Sequence, residues 1–172
     1  MPVCAARYFL QWAAMERQHE TTLRFFAQPI EQNSLGKVHG GAVMKWIDEA
    51  GAAVAIGWSG RICVTVYVGG IRFVKPISIG SLIEVHARLI YTGRTSMHVA
   101  VDVRASDPRD GNYAQTTHCI IGYVAIDDAG QPIEVPKWAP KTPEDLALQQ
   151  HAMSALTLSK DIEAEMRRYM RD

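Results

Sequence analysis

Between residues 41 and 127 the spacing of the apolar residues changes once, at Gly60, and that change limits the possible folds more than any other feature. Before it, Val43, Ile47, Ala50 and Val54 recur at helical spacing, with small residues packed between them. Residues 41–57 therefore read as one largely buried helix. After it the period falls to two. Four β-branched runs follow: ICVTVYVGGIRFV, LIEVHARLIYTG, TSMHVAVDVRAS and YAQTTHCIIGYVAID. Lys75-Pro76 with Gly80, then Thr92-Gly93-Arg94, then Asp107-Pro108-Arg109-Asp110-Gly111 break the chain between them. In the third run Met97, Val99, Val101 and Val103 alternate with His98, Ala100, Asp102 and Arg104, the pattern of an antiparallel strand with one covered face. Upstream, TTLRFFAQ at 21–28 reads as a strand ended by Pro29, and IEQNSLGKVHGG as a loop. Strand, long helix, four strands predicts an α+β fold: an antiparallel sheet of about five strands wrapped around one long central helix.

The ends read differently. Residues 131–141, QPIEVPKWAPK, hold three prolines and form a linker. Thr142, Pro143 and Asp145 then start a C-terminal helix, with Thr142 as cap and Asp145 at capping-box spacing. Ile162, Met166, Tyr169 and Met170 give that helix an apolar stripe, suited to docking on the body or a neighbouring subunit. The first fifteen residues, MPVCAARYFLQWAAM, are apolar but interrupted by Arg7, lack a charged lead and make a poor signal peptide. They are also too short to cross a bilayer. Met15, followed by ERQHE, is a plausible alternative start. The 172 residues suit one domain with appended segments. Eighteen basic and eighteen acidic side chains cancel, which argues against a general nucleic-acid binder. Cys4, Cys63 and Cys119 are far apart and odd in number, with no metal or redox spacing, as for reduced thiols in a cytoplasmic protein.

Four positions stand out for chemistry. Asn33 lies in the loop before the helix, Gly40 and Gly41 sit at its start, and Asp48 lies about two turns in. A buried carboxylate without a partner is costly, so Asp48 should be paired, solvated or used. A helix start offers free N–H groups and a positive dipole end, and glycines there let a ligand approach the backbone. Such a place polarises a carbonyl and holds a developing oxyanion. Helix rise puts Asp48 roughly 12 Å from Gly40, too far for both to serve one carbon. Asp48 of one subunit must then meet Gly40 of another, with Ala50, Gly51, Ala52 and Ala53 allowing two helices to lie close. His39 is the less suitable base: beside a helix start it is expected to hydrogen-bond the loop. His86, His98 and His118 sit in strands without partner spacing and read as surface or packing residues. No metal-binding constellation is present.

The segment N-x-x-G-x-V-H-G-G-x-V-M-K-W-I-D-E-A-G, residues 33–51, resembles the signature of hotdog-fold acyl-CoA thioesterases. The likeness is closest to the bacterial broad-specificity enzymes and the cytosolic acyl-CoA hydrolases of vertebrates. It continues through VTVYVGGIRFVKPISIGSLIEVHARLIYTGRTSM and covers roughly residues 21–136. It implies a hotdog fold, with residues 1–20 as an N-terminal extension and 137–172 as linker and C-terminal helix. The implied activity is hydrolysis of acyl-CoA to free acid and CoA, within fatty acid metabolism. By the same resemblance Asp48 activates or positions water, or attacks directly. Asn33 orients water or thioester opposite the other subunit's acid, and the Gly40 N–H polarises the carbonyl with help from Gly41. Related lineages carry a hydroxyl one turn after the acid, where this chain has Ala52. The turn Gly93-Arg94-Thr95-Ser96 resembles the family's turn near the pantetheine arm, and Arg72, Lys75 and Arg94 are candidates for the CoA phosphates. Arg94, Thr95, Ser96, Lys75 and Arg72 thus form the expected CoA-binding set. No cofactor is implied, CoA being part of the substrate. The implied assembly is a homo-oligomer, at least a dimer and in this family commonly a trimer of dimers, a hexamer.

Two other functions compete. A hotdog domain that binds acyl-CoA without cutting it would need neither Asn33 nor Asp48. A hotdog hydratase or dehydratase places a catalytic His in a different motif, which His39-Gly40-Gly41 does not match. Trp46, Trp58 and Tyr67 are expected to set the depth of the acyl pocket and to favour short or medium chains.

Overall fold

The computed structural model describes residues 17–169. Residues 1–16, with Cys4, Met15 and most of the N-terminal extension, and residues 170–172, with Met170, lie outside it. The elements run β1 (Glu20–Phe26), a short 3-10 turn (Pro29–Glu31), α1 (Gly40–Ser59), β2 (Ile62–Phe73), β3 (Leu82–Thr92), β4 (Ser96–Ser106), β5 (Tyr113–Ile126) and α2 (Pro143–Arg167). The strands form one sheet in the order β1-β3-β4-β5-β2, every pair antiparallel. This is the α+β architecture that the change of period at Gly60 demands.

The sheet wraps α1. Ala42, Val43, Trp46, Ile47, Ala50, Val54 and Ala55 pack against Ile83, Val85, Val99, Val101, Ile121 and Tyr123 in the main core. Burial of this apolar surface is the principal stabilisation of the fold. His39 begins the helix: its Nδ1 accepts the Ala42 N–H at 3.0 Å. Gly60 ends it in the left-handed conformation at φ 66°, where a side chain would be strained. The opposite face of the sheet carries α2. Ala152, Leu148 and Ala155 pack there on Ile90, Ala100 and Ile120. Thr142 and Asp145 form the expected reciprocal capping box at the start of α2. Arg88 of β3 pairs with Asp145, which is 5% exposed, and so pins that end of α2 to the sheet.

Two expectations change. The protomer does not bury α1 on all sides: Met44, Asp48, Glu49, Ala53 and Ile56 are exposed. The small residues are not all turned toward a second helix either. A Cβ on Gly51 would lie 3.0 Å from Ile121 Cγ2 and closer still to Tyr123, so Gly51 serves contact with the helix's own sheet.

The two sheet edges are unlike. β1 is seven residues long and exposes Glu20, Thr22 and Arg24, features that discourage further pairing. β2 is twelve residues long, pairs among the described residues only with β5, and exposes Ile62, Val64, Val66, Val68 and Phe73.

Candidate active site

Asp48 sits on the exposed side of α1, facing the β2 edge. Its Oδ1 accepts the Thr65 hydroxyl of β2 at 2.6 Å. The Tyr123 hydroxyl of β5 donates to the Asp48 main-chain carbonyl at 2.8 Å and lies 3.3 Å from Oδ1. Thr65 pairs with Tyr123 across the β2–β5 ladder, so one rung of the sheet presents both hydroxyls to one aspartate. Burial and the neighbouring Asp48 charge push the Tyr123 pKa well above the ordinary tyrosine value. The phenol therefore stays protonated and serves Asp48 as a donor. A cleft of about 400 Å³ opens beside this pair. Its walls are Met44, Ile47, Val68, Ile71 and Ile121, with Lys45, Asp48 and Thr65 as polar members. A carboxylate with a fixed neighbour at the mouth of an apolar cleft can hold a water against a ligand whose tail fills that cleft.

Neither Thr65 nor Tyr123 is among the residues that the sequence singles out. Threonine is an ordinary β-strand residue and Thr65 lies within a β-branched run, so its composition gives no signal. Position 52 brings Asp48 no hydroxyl, and the one that does reach it comes from β2, seventeen residues further along the chain.

The structure divides the remaining candidates. Asn33 and Asp48 do not meet within the protomer. The Asn33 Oδ1 accepts the Leu35 and Lys37 N–H groups at 2.9 and 3.0 Å, which shapes the loop and leaves the amide NH₂ outside those bonds. Gly40 and Gly41 hold the first two positions of α1. The His39 cap takes the Ala42 N–H and does not engage theirs. A Cβ on Gly40 would stand 3.3 Å from the Phe73 ring, and one on Gly41 3.0 Å from the His39 ring. His39 is thus a helix cap, with one ring nitrogen committed.

The CoA candidates fall into two groups. Arg72 is the last residue but one of β2 and Lys75 lies two residues beyond the strand, both exposed and flanking Phe73, whose ring meets the start of α1 at Gly40. Arg94 and Thr95 lie in the β3–β4 turn and Ser96 opens β4; Arg94 lies 3.5 Å from Glu134. Ser96 pairs with Val124 and Val124 with Val64, whereas Phe73 pairs with Thr117. The two groups therefore stand at opposite ends of β2, roughly 25 Å apart by strand rise.

The expected pocket residues lie elsewhere. Trp46 is buried edge-on against Phe25 and donates to Glu31, and Trp58 donates to the Pro136 carbonyl. Tyr67 lies over Gly69 beside Gly122, away from the cleft. Two strand histidines do have partners: His86 bonds Thr22, and the Asp102 carboxylate hydrogen-bonded to His118 raises its pKa. Among the described residues no group of three or more His, Cys, Asp or Glu side chains could hold a metal ion. None of the described helices is long and apolar enough to cross a membrane.

A model of the thioesterase superfamily matches residues 35–112. The acyl-CoA thioester hydrolase YciA of Escherichia coli is 32% identical over 123 residues, 69% of this chain and 92% of that one. This chain belongs to the hotdog-fold acyl-CoA thioesterase family. Among solved structures, the acyl-CoA hydrolase of Staphylococcus aureus, in complex with butyryl coenzyme A and coenzyme A, superposes with a TM-score of 0.81. It is 26% identical, over 88% of this chain and 92% of that one. The hexameric thioesterase y2039 of Yersinia pestis is 34% identical, with a TM-score of 0.64, over 67% of this chain and 94% of that one. The staphylococcal hydrolase has also been solved with alanine in place of an asparagine, an aspartate and a threonine. Those three positions follow one another at intervals of 15 and 17 residues, the intervals that separate Asn33, Asp48 and Thr65 here.

Proposed function

We propose that the protein hydrolyses acyl-CoA thioesters to a free acid and CoA in a site shared by two subunits. The observation that carries this is the Asp48 carboxylate, fixed by Thr65 at 2.6 Å and placed at an apolar cleft. Asp48 takes a proton from water, and the water oxygen bonds to the thioester carbon. The charge that develops on the carbonyl oxygen falls to the Gly40 N–H, with Gly41 beside it, at a helix start where the backbone dipole favours an anion. The carbon–sulfur bond then breaks, and the proton held by Asp48 goes to the departing sulfur. If Asp48 attacks directly, the intermediate is an anhydride. After a single turnover in ¹⁸O-water, label in the Asp48 carboxyl marks the anhydride route, because only hydrolysis of an anhydride at that carbon places it there.

The unfinished β2 edge favours the shared site. Two copies paired antiparallel along β2 cover Val64, Val66 and Val68. That pairing brings the partner's Gly40, Arg72 and Lys75 toward Asp48, Thr65 and Arg94 of the first copy. It unites the two CoA-binding groups that one chain holds apart, and it offers the free amide of the partner's Asn33 to Asp48. The acyl chain lies in the cleft between Ile47, Val68 and Ile121. Hexameric relatives such as y2039 support stacking three such dimers. On this proposal the enzyme occupies residues 21–136, works in the cytoplasm and requires no cofactor.

The test is release of CoA thiol from acyl-CoAs of increasing length, by wild type and by Asp48→Ala. Loss of a general base lowers the rate by roughly 10²–10⁴-fold. A wild-type protein that binds acyl-CoA and liberates no thiol would instead be a non-catalytic acyl-CoA-binding module.

A further inference from the structure

Tyr123 contacts the aspartate at two points, the side chain and the backbone of the same residue. The phenol is 1% exposed and comes from β5, a strand paired on both sides. Its oxygen lies 2.8 Å from the Asp48 carbonyl and 3.3 Å from Oδ1. It reaches that position through a gap in the helix. A Cβ on Gly51, one turn after Asp48, would stand 2.5 Å from the Tyr123 hydroxyl and 3.0 Å from the ring. Any other residue at 51 therefore displaces the phenol or the helix. Glycine weakens a helix interior, so its presence here accords with a need for close approach.

We infer that Tyr123 is a positioning residue for the Asp48 carboxylate, admitted to it by Gly51. This rests on the thioesterase function proposed above. Thr65 holds Oδ1 from an edge strand, which among the described residues has a neighbour on one side alone. Tyr123 ties the same residue to the interior of the sheet and approaches the same oxygen. Both side-chain contacts fall on Oδ1, which leaves Oδ2 for a water. A carboxylate with one oxygen fixed and the other available is held in one rotamer, the condition for delivering a base to a defined point.

The experiment measures hydrolysis of butyryl-CoA and octanoyl-CoA by wild type, Tyr123→Phe, Gly51→Ala and the double variant, with melting curves for each. Tyr123→Phe keeps the ring and removes the hydroxyl. Its kcat falls about tenfold, the loss of one hydrogen bond to a charged residue, while KM stays within about twofold. Gly51→Ala displaces the hydroxyl and lowers kcat to a similar extent. The double variant is no slower than the slower single one, because both changes act through one group. Wild-type kcat in Tyr123→Phe overturns the inference and leaves thioester hydrolysis intact. So does a double variant whose loss is the product of the two single losses, since independent packing defects multiply. A wild-type protein that releases no thiol overturns the inference together with the proposed function.

Discussion

Replacing Thr65 by valine tests the most direct contact of the candidate base. Valine keeps the branched shape that suits a strand and removes only the hydroxyl. The bond removed spans 2.6 Å, within the range of charge-assisted O–H···O⁻ bonds. Hydrogen bonds to charged groups contribute about 1.5–3 kcal/mol. In the free protomer Thr65 and Asp48 are both exposed, which places the effect at the lower end. About 1.5 kcal/mol corresponds to roughly a tenfold fall in kcat, and burial at a subunit interface raises it toward 100-fold. The assay is steady-state thiol release from octanoyl-CoA by wild type, Thr65→Val, Asp48→Ala and the pair. Once the carboxylate is gone the hydroxyl has nothing to hold, so Thr65→Val on top of Asp48→Ala adds no further loss. A Thr65→Val enzyme within twofold of wild type would refute this reasoning. An equal loss in both backgrounds would also refute it, because the hydroxyl would then act independently of Asp48.

His98 supplies a pH-dependent test. It is buried, its Nδ1 has no hydrogen-bond partner among the described residues, and burial lowers its pKa from 6.5 to about 4. Between those values the unfolded chain binds more protons, so stability falls as pH drops from about 6.5 toward 4, by roughly 3 kcal/mol in all. Urea unfolding of His98→Phe should lack that component, and curves for the two proteins that stay parallel from pH 7.5 to 4.5 would exclude it. Arg88→Met leaves the buried Asp145 without its ion-pair partner, a defect on the order of 3 kcal/mol. Limited proteolysis should then cut near residues 137–145 before any other segment. Burial raises the Cys119 pKa to about 12, so in native protein it should react with iodoacetamide at pH 8 far more slowly than in urea.

The fold was legible because it rests on periodicity and breakers. The shift at Gly60 separates α1 from β2, and Thr142, Pro143 and Asp145 mark the start of α2 by local capping chemistry alone. The candidate site was legible only in part. Asp48 stands out as a carboxylate among apolar neighbours, and Gly40 and Gly41 as glycines at a helix start. Thr65 and Tyr123 carry no such mark, since their shared contact with Asp48 comes from a ladder pairing that joins residues fifty-eight positions apart. Gly51 shows why spacing alone misleads. A small residue in a helix signals close approach but does not name the partner, and here the partner is Tyr123 rather than a second helix. Trp46 and Trp58 illustrate the converse, because large aromatic side chains near a site are more often committed to the core.

The features that one protomer leaves incomplete all lie toward one side, and that gives the last prediction. Asp48 and Thr65 are exposed, the Gly40 amide is free of the helix cap, and β2 presents Val64, Val66 and Val68 along an unpaired edge. A long apolar edge is a pairing site unless something blunts it, and from Ile62 to Val68 this edge carries no charged side chain, Arg72 near its far end being the one charge on β2. Catalysis and assembly should therefore fail together. Val66 is 59% exposed and outside the cleft, so Val66→Lys charges the edge without touching Asp48. The variant should elute as a monomer in size-exclusion chromatography with light scattering, keep its circular dichroism, and lose thiol release by roughly the 10²–10³-fold expected when an oxyanion donor is withdrawn. Raising the protein concentration should restore both properties along one curve, because dimerisation depends on concentration. A monomer that hydrolyses acyl-CoA at the wild-type rate would mean that one chain assembles the whole site, and the geometry of Gly40 and Asp48 would then have to be explained within a single helix.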